Sequence, residues 1–277
     1  MCCPLADRFR LGKPREREPL QASAGLTLMT ALDRLWLPPP AGLALSRDDV
    51  HVWRASLELP ASRVQSLKHT LAADELSRAE RFHFQKDRKH FIVARGLFRA
   101  ILSRYLDMEP GQLRFRYSPY GKPALATTPG QDTLSFNVSH SHGLALYAIT
   151  RGREIGVDLE RISADLDCEQ IAARFFSPRE NAVLRALPTE LKSKAYFNCW
   201  TRKEAYIKAR GGGLSLPLDQ FDVSLAPGEP AMLLNTSGDR QEATRWSLRA
   251  LTPGPGYVAA LAVEGHGWRF ECWQWPE

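Results

Sequence analysis

Cysteine is scarce in this sequence: five residues, Cys2, Cys3, Cys168, Cys199 and Cys272, occur among 277. They form no CxxC pair and no zinc-binding spacing, and their number is odd. This usage suits a reduced protein better than a disulfide framework, and it gives no indication of a structural zinc site. We expect a reduced setting, the cytoplasm.

Long apolar runs are missing as well. No stretch is long enough to cross a bilayer as a helix, and the N-terminus lacks the apolar core of a signal peptide. We therefore expect no membrane partner. Residues 1–28 are rich in Arg, Glu and Pro without any period, which predicts disorder. Met29 is a candidate natural start, because ordered-looking sequence begins soon after it.

Several catalytic signatures are also absent. No GxxxxGK[ST] phosphate loop occurs, and no GxSxG nucleophile motif. The formal charge of +6 and the pI of about 9.2 favour anionic partners such as nucleotides, nucleic acid or an acidic protein. The charge does not choose among them, and an enzyme with a basic surface explains it equally well. No recognised nucleic-acid-binding motif supports that class, so we expect no nucleic-acid partner.

The order of predicted elements repeats along the chain. Residues 46–152 are predicted to form a strand, a helical region and three strands, and residues 153–277 follow the same order. We predict an α+β (α/β) fold, a pseudo-dimer of two similar halves, each with a helix on a small, mainly antiparallel sheet. Residues 1–45 form an N-terminal extension. The alternative is an ordinary α+β chain whose element order repeats by coincidence.

The strand "IGVDLE" places two carboxylates on one face. Side chains alternate along a strand, so Gly156, Asp158 and Glu160 point the same way and the glycine leaves room beside them. Magnesium takes one or two carboxylates together with phosphate oxygens and water. The pattern is compatible with a magnesium site and also with a solvated strand face.

The stretch "CWTRKEAYIKARGGGLSLPL" predicts a helix that carries charge beside an apolar stripe through Trp200. Lys203 and Glu204 flank the stripe, and Lys208 lies one turn beyond Glu204. A surface Glu–Lys pair explains this arrangement, and so does an anionic ligand or a metal ion held beside the stripe. The glycines at 211–213 end the helix, and they permit either a tight backbone turn or close approach of a ligand.

Two further groups of polar residues are candidates for phosphate binding. In "FNVSHSHG", Ser139 and His140 lie at a strand end, where they could serve a phosphate or only a structural turn. A basic cluster is consistent with a phosphate site, a solvated helix face or a nucleic-acid patch. The members of the cluster are Arg78, Arg81, Lys86, Arg88, Lys89, His90, Arg95 and Lys122.

Together these motifs resemble the 4′-phosphopantetheinyl transferase superfamily, of the larger, surfactin-synthetase-activating type. The resemblance rests on "GVDLE" at 156–160 followed by W-x-x-K-E-A-x-x-K at 200–208. "GKP" at 121–123 and "FNVSH" at 136–140 match in order, and the match runs from Val50 to the C-terminus. It implies a pseudo-dimer with coenzyme A in the cleft. It also implies transfer of the phosphopantetheine arm to a serine of an apo acyl or peptidyl carrier protein, releasing adenosine 3′,5′-bisphosphate with Mg²⁺ or Mn²⁺.

The resemblance also implies roles for individual residues. Asp158, Glu160 and Glu204 correspond to metal ligands, Glu204 also to the base for the carrier serine, and Lys208 to the group that neutralises or protonates the leaving phosphate. The implied coenzyme A contacts are Arg78, Arg81, His90, Lys122, Ser139, His140, Lys203 and Lys208. The sequence departs from the family at Glu75, where some members carry a basic residue, and Arg81 or His90 is a candidate replacement.

Carrier binding and assembly follow from the same resemblance. The segment "CEQIAARFFSPRE" offers Phe175 and Phe176 to an acidic carrier protein, although both rings could equally lie in the core. A monomer would suffice, since one chain supplies both halves. The alternatives are a catalytically silent protein that binds coenzyme A or a nucleotide, and a nucleic-acid-binding module.

Overall fold

The computed structural model describes residues 35–126, 134–163, 165–213, 216–236 and 240–276. The predictions about residues 1–28 and about Met29 lie outside these ranges. The described chain forms two main sheets, each with a long helix on its outer face, and two small two-stranded sheets. None of the described helices is long and apolar enough to cross a membrane.

The first half consists of five strands and three helices. Its elements are β1 (Asp49–Ser56), α1 (Ala61–Lys68), α2 (Ala73–Glu80), α3 (Gln85–Leu106), β2 (Phe115–Tyr117), β3 (Pro123–Leu125), β4 (Leu134–Ser141) and β5 (Leu144–Arg151).

The second half begins with the strand that carries the paired carboxylates. Its elements are β6 (Ile155–Arg161), α4 (Cys168–Phe175), α5 (Pro178–Ala186), α6 (Thr189–Arg210), β7 (Phe221–Val223), β8 (Leu233–Thr236), α7 (Arg240–Thr244), β9 (Trp246–Leu251), β10 (Tyr257–Glu264) and β11 (Arg269–Gln274).

The strand orders of the two sheets confirm the predicted duplication. The strands β1, β4 and β5 of the first half correspond to β6, β9 and β10 of the second half. In both sheets the third of these strands lies in the middle, so the orders are β1-β5-β4 and β6-β10-β9, with antiparallel pairing. Each half also has a 22-residue helix, α3 or α6, followed by a two-stranded hairpin. The final strand β11 pairs in parallel with β1 and so joins the first sheet. The boundaries at 46–152 and 153–277 stay a prediction.

Three large apolar clusters fix the layers, and a small fourth one lies around Leu71, Ala79 and Ile92. Side chains such as Trp53 of β1 pack under α3, and Val50 and Val52 of the same strand face the second sheet, where Val157 and Leu261 meet them. A third cluster lies between α6 and the outer face of the second sheet. The order helix, sheet, sheet, helix therefore places β6 between the first sheet and α6.

Candidate functional site

The two halves meet along the free edge of β6. That strand pairs with β10 on one side only. On the other side its backbone N–H groups donate to side chains of β4, which take the place of a neighbouring strand and satisfy buried donors. We call this contact the seam. Its three hydrogen bonds have backbone N–H groups of β6 as donors. They join Val157 N to Asn137 Oδ1 (3.0 Å), Leu159 N to Ser139 Oγ (3.2 Å) and Arg161 N to Ser141 Oγ (3.3 Å).

Sequence reasoning missed the roles of Asn137 and Ser141 in the seam. The available signal was the polar residue at every second position of "FNVSHS", and these three polar residues are buried. Alternation of this kind places all three polar side chains on one face of β4.

Gly156 brings α6 against β6. A Cβ atom at this position would overlap the Ala205 carbonyl oxygen and the Ala209 backbone nitrogen. Because no side chain larger than hydrogen fits, the helix lies directly on the strand, and the charged residues of both elements meet. The predicted room beside Asp158 is therefore filled by helix backbone.

Asp158, Ser139 and Lys208 form a compact ionic cluster beside the seam. The Lys208 ammonium donates to Asp158 Oδ1 at 2.6 Å, to Ser139 Oγ at 3.1 Å and to the Val157 carbonyl at 3.3 Å. Ser139 also donates its hydroxyl to Asp158 Oδ1, 3.0 Å away. Asp158 is almost fully buried, and its second oxygen, Oδ2, has no hydrogen-bond partner. A buried carboxylate oxygen left in this way is suited to a cation.

Glu160 completes the acidic pair. Its Oε2 accepts a hydrogen bond of 3.1 Å from Ser141. Burial raises the pKa of Glu160 to about 8, and the charges of Asp158 and Glu204 act in the same direction. A positive ion at this point would favour the ionised carboxylate, because opposite charges lower the pKa of an acid.

His140 follows Ser139 on β4 and points to the opposite face of the strand. Burial lowers the pKa of His140 to about 3, with the charges of Lys208 and His90 adding to the effect. The imidazole is therefore neutral near pH 7. A neutral imidazole can donate a hydrogen bond to an anion but brings no positive charge.

The described residues of the site can supply two carboxylate ligands to a magnesium ion. Within the described ranges, no three His, Cys, Asp or Glu side chains are grouped so that they could hold a metal by themselves. Magnesium usually keeps several waters and takes only one or two carboxylates together with substrate phosphates. Asp158, with its unpartnered oxygen, and Glu160 supply such a pair.

Lys203 lies in the core instead of the cleft. Its ammonium has no exposed surface, forms an ion pair of 2.8 Å with Glu180 and donates to the carbonyl oxygens of Leu218 and Phe221. These three partners use all three donors of the ammonium group. The expected coenzyme A contact at Lys203 is thus replaced by a structural ion pair that joins α5, α6 and β7.

We predict that Lys203→Met destabilises the fold by about 3–5 kcal/mol, because it leaves the Glu180 carboxylate buried without its counter-ion. Burial already raises the pKa of Glu180, against the influence of Lys203. Urea unfolding at pH 7 measures the loss, and the double variant Lys203→Met with Glu180→Gln should recover part of it. A large rise in KM for coenzyme A in a stably folded Lys203→Met protein would instead support the coenzyme A contact that the resemblance implies for Lys203.

Lys122 caps the end of α6. Its ammonium donates to the Ala209 carbonyl at 2.9 Å and pairs with Glu154 at 2.6 Å. Gly211 ends the helix in a left-handed conformation with φ of 71°, which confirms the predicted stop. Gly213, also left-handed, packs against the Tyr120 ring. The close approach predicted for the glycines is therefore made by protein side chains.

The remaining basic candidates lie in α2 and α3 and at the turn between them. His90 is buried and bonds to Glu58 at 2.7 Å. Arg78 is exposed and lies over the Phe91 ring, and Arg81 is exposed at the C-cap of α2. Glu75 is buried between two arginines of α3, Arg95 and Arg99, so its carboxylate belongs to the core of the first half.

The two candidate carrier contacts differ in burial. Phe176 is buried and stacks on Tyr196, so of the two alternatives left open for this ring the structure supports the position in the core. Phe175 is only partly buried and lies edge-on to Trp200.

Comparison with known proteins adds independent findings. The family profile described as "4′-phosphopantetheinyl transferase superfamily" matches residues 154–262. The profile "4′-phosphopantetheinyl transferase, N-terminal" matches residues 53–151. The two profiles cover most of the two halves.

Individual relatives agree with these profiles. The chain is 46% identical over 244 residues to the 4′-phosphopantetheinyl transferase HetI of Nostoc sp., covering 88% of this chain and 100% of that protein. It is 32% identical over 155 residues to the 4′-phosphopantetheinyl transferase Sfp of Bacillus subtilis, covering 56% of this chain and 66% of the relative. The solved holo-[acyl-carrier-protein] synthase of Thermotoga maritima aligns with a TM-score of 0.34 and 17% identity, over 41% of this chain and 64% of that one.

Proposed function

The chain belongs to the 4′-phosphopantetheinyl transferase superfamily, and from this premise we propose that it transfers the 4′-phosphopantetheine arm of coenzyme A to a serine hydroxyl of an apo carrier protein. The other product is adenosine 3′,5′-bisphosphate, and the reaction requires Mg²⁺, with Mn²⁺ as a substitute.

The observation that carries the proposal is the cluster at the seam. Lys208, Ser139 and Asp158 lie within hydrogen-bond distance of one another, and Asp158 Oδ2 is buried without a partner. A lysine donor beside an acidic pair suits a pyrophosphate held through a divalent cation. When bound, Mg²⁺ would neutralise charge on the phosphate oxygens. Asp158 and Glu160 would hold it. Glu204 is the proposed third ligand and would have to move toward this pair, because no three such side chains are grouped within the described ranges.

The proposed step breaks one bond of the pyrophosphate and forms one to serine. The serine oxygen attacks the phosphorus that carries the pantetheine arm, and the bond from that phosphorus to the bridging oxygen breaks. Glu204, buried on α6, accepts the serine proton directly or through a water molecule. Lys208 stabilises the charge that develops on the leaving 5′-phosphate, as expected for a transition state that spreads charge over phosphoryl oxygens.

Coenzyme A binding is proposed to use two groups of residues. Ser139 and Lys208 would hold the pyrophosphate, since they are hydrogen-bonded to each other beside the acidic pair. His140, the next residue of β4, would contribute from the opposite face of the strand. The remaining candidates would bind the 3′-phosphate or lie along the protein surface that leads to it. They are Arg78, Arg81, His90 and Lys122. Before either residue could bind a phosphate, His90 would have to break its contact with Glu58, and Lys122 its ion pair with Glu154.

The setting of the reaction belongs to the same proposal. We propose that the reaction takes place in the cytoplasm. We also propose that the protein acts as a monomer, because the seam is built from both halves of one chain. The three described cysteines, Cys168, Cys199 and Cys272, are unpaired thiols. An acidic carrier protein suits the net charge of +6, and the partly buried Phe175 is the proposed contact for it.

Product release tests the proposal. The protein is mixed with coenzyme A, Mg²⁺ and an apo carrier protein, and adenosine 3′,5′-bisphosphate is measured by chromatography. We expect release only when the carrier is present, and its loss on adding a chelator. A protein that binds coenzyme A but releases no bisphosphate with any carrier would be a silent binder, and the proposal would be wrong.

A further inference from the structure

The turn after β4 holds an unusual conformation beside the acidic pair. β4 ends at Ser141 and β5 begins at Leu144, so a loop of two residues joins them. Both have positive φ, 45° at His142 and 86° at Gly143, as in the tight hairpin turns that match strand twist. A residue other than glycine seldom adopts this conformation, which indicates that His142 is held there by its surroundings.

Contacts with the second half hold the turn in place. Tyr257 at the start of β10 donates its hydroxyl to the His142 carbonyl at 2.6 Å. The N–H of Arg161 donates to Ser141 Oγ, and the Nδ1 atom of His142 lies 3.0 Å from the same oxygen. The Ser141 hydroxyl is thereby fixed by a strand on one side and an imidazole on the other.

These bonds determine where the Ser141 proton points. A serine hydroxyl has one hydrogen to donate and two lone pairs to accept with. Arg161 N–H occupies one lone pair, and the hydrogen is directed to Glu160 Oε2, 3.1 Å away. We assign His142 the tautomer that carries its proton on Nδ1, which donates to the second lone pair. Every bonding position of the hydroxyl is used, with Glu160 as its acceptor.

The two acidic residues of the site are held in the same manner. Ser139 donates to Asp158 and Ser141 donates to Glu160, two residues further along each strand. Asp158 has Lys208 as an additional partner. A glutamate side chain has more rotatable bonds than an aspartate and loses more freedom when it is ordered. A fixed donor therefore matters more for Glu160.

We propose that Ser141 is a positioning residue, which presents the Glu160 carboxylate to a divalent cation from a hydroxyl fixed by the left-handed turn at His142. This inference rests on the proposed function, since it takes Asp158 and Glu160 as the cation-binding pair. Ser141 itself touches neither substrate nor cation. Hydrogen-bond partners of metal ligands commonly change metal affinity by 10- to 100-fold when removed.

The test compares Ser141→Ala with two matched variants. Ser141→Thr keeps the hydroxyl, and Ser135→Ala removes a hydroxyl at the opposite end of β4. For each protein, the Mg²⁺ concentration that gives half-maximal transfer is measured together with kcat at saturating Mg²⁺. The rise in Tm caused by Mg²⁺ in the presence of coenzyme A provides a readout that does not depend on catalysis.

We expect Ser141→Ala to raise the half-saturating Mg²⁺ concentration by about 10-fold or more, with kcat at saturation close to that of the wild type. Its Mg²⁺-induced rise in Tm should shrink, and Ser141→Thr should restore both properties. An unchanged Mg²⁺ requirement, or an equal change in Ser135→Ala, overturns the inference. A wild type with no Mg²⁺ requirement instead overturns the proposed function.

A second variant tests the inference if Ser141→Ala fails to fold. Tyr257→Phe removes only the hydroxyl that holds the turn. A smaller rise in the Mg²⁺ requirement of this variant supports the inference, and an unchanged requirement overturns it.

Discussion

Glu204→Gln should lower the rate of phosphopantetheine transfer by about 100-fold or more and leave the fold intact. Glutamine has nearly the same shape as glutamate, so the packing of this buried position on α6 is retained. The amide cannot accept the serine proton, and it is a weaker ligand for a cation. The initial rate at saturating coenzyme A, carrier and Mg²⁺ measures the effect.

The matched control is Glu190→Gln, in the first turn of the same helix. It should transfer at the wild-type rate, and thermal unfolding should show similar Tm values for all three proteins. A near wild-type rate for Glu204→Gln would remove Glu204 from its proposed role as base.

Gly156→Ala should both destabilise the protein and reduce its activity. The added methyl group meets backbone atoms of Ala205 and Ala209, which cannot move without moving α6. Overpacking against a rigid neighbour costs about 3 kcal/mol. A shift of α6 also separates Lys208 from Asp158, and a misplacement of about 1 Å can reduce a rate 100-fold.

Gly254→Ala is the control for this substitution, because a Cβ atom at Gly254 would have no neighbour within 4 Å. Urea unfolding and the transfer rate are measured for both variants. Wild-type stability and rate in Gly156→Ala would contradict the close contact between β6 and α6.

The local features of the site were predictable from the sequence because they depend on short-range geometry. Alternation along β6 put Asp158 and Glu160 on one face, and helical spacing put Lys208 near the end of α6. The repeated element order predicted two similar halves, which the strand orders confirm.

The partners of charged side chains were not predictable in the same way. Lys203 and Lys208 lie in one helix five residues apart, yet one pairs with Glu180 in the core and the other with Asp158 at the seam. Helical spacing indicates the direction of a side chain but not which element is packed there. The parallel pairing of β11 with β1 likewise joins the two ends of the described chain, a contact that no local pattern indicates.

The most direct test of the central claim is the intact mass of an apo carrier protein after incubation with this protein, coenzyme A and Mg²⁺. We predict that the carrier gains one phosphopantetheine, that the gain disappears with a chelator, and that a carrier with its acceptor serine changed to alanine gains nothing. An unchanged carrier mass across acyl and peptidyl carriers under these conditions would contradict the account.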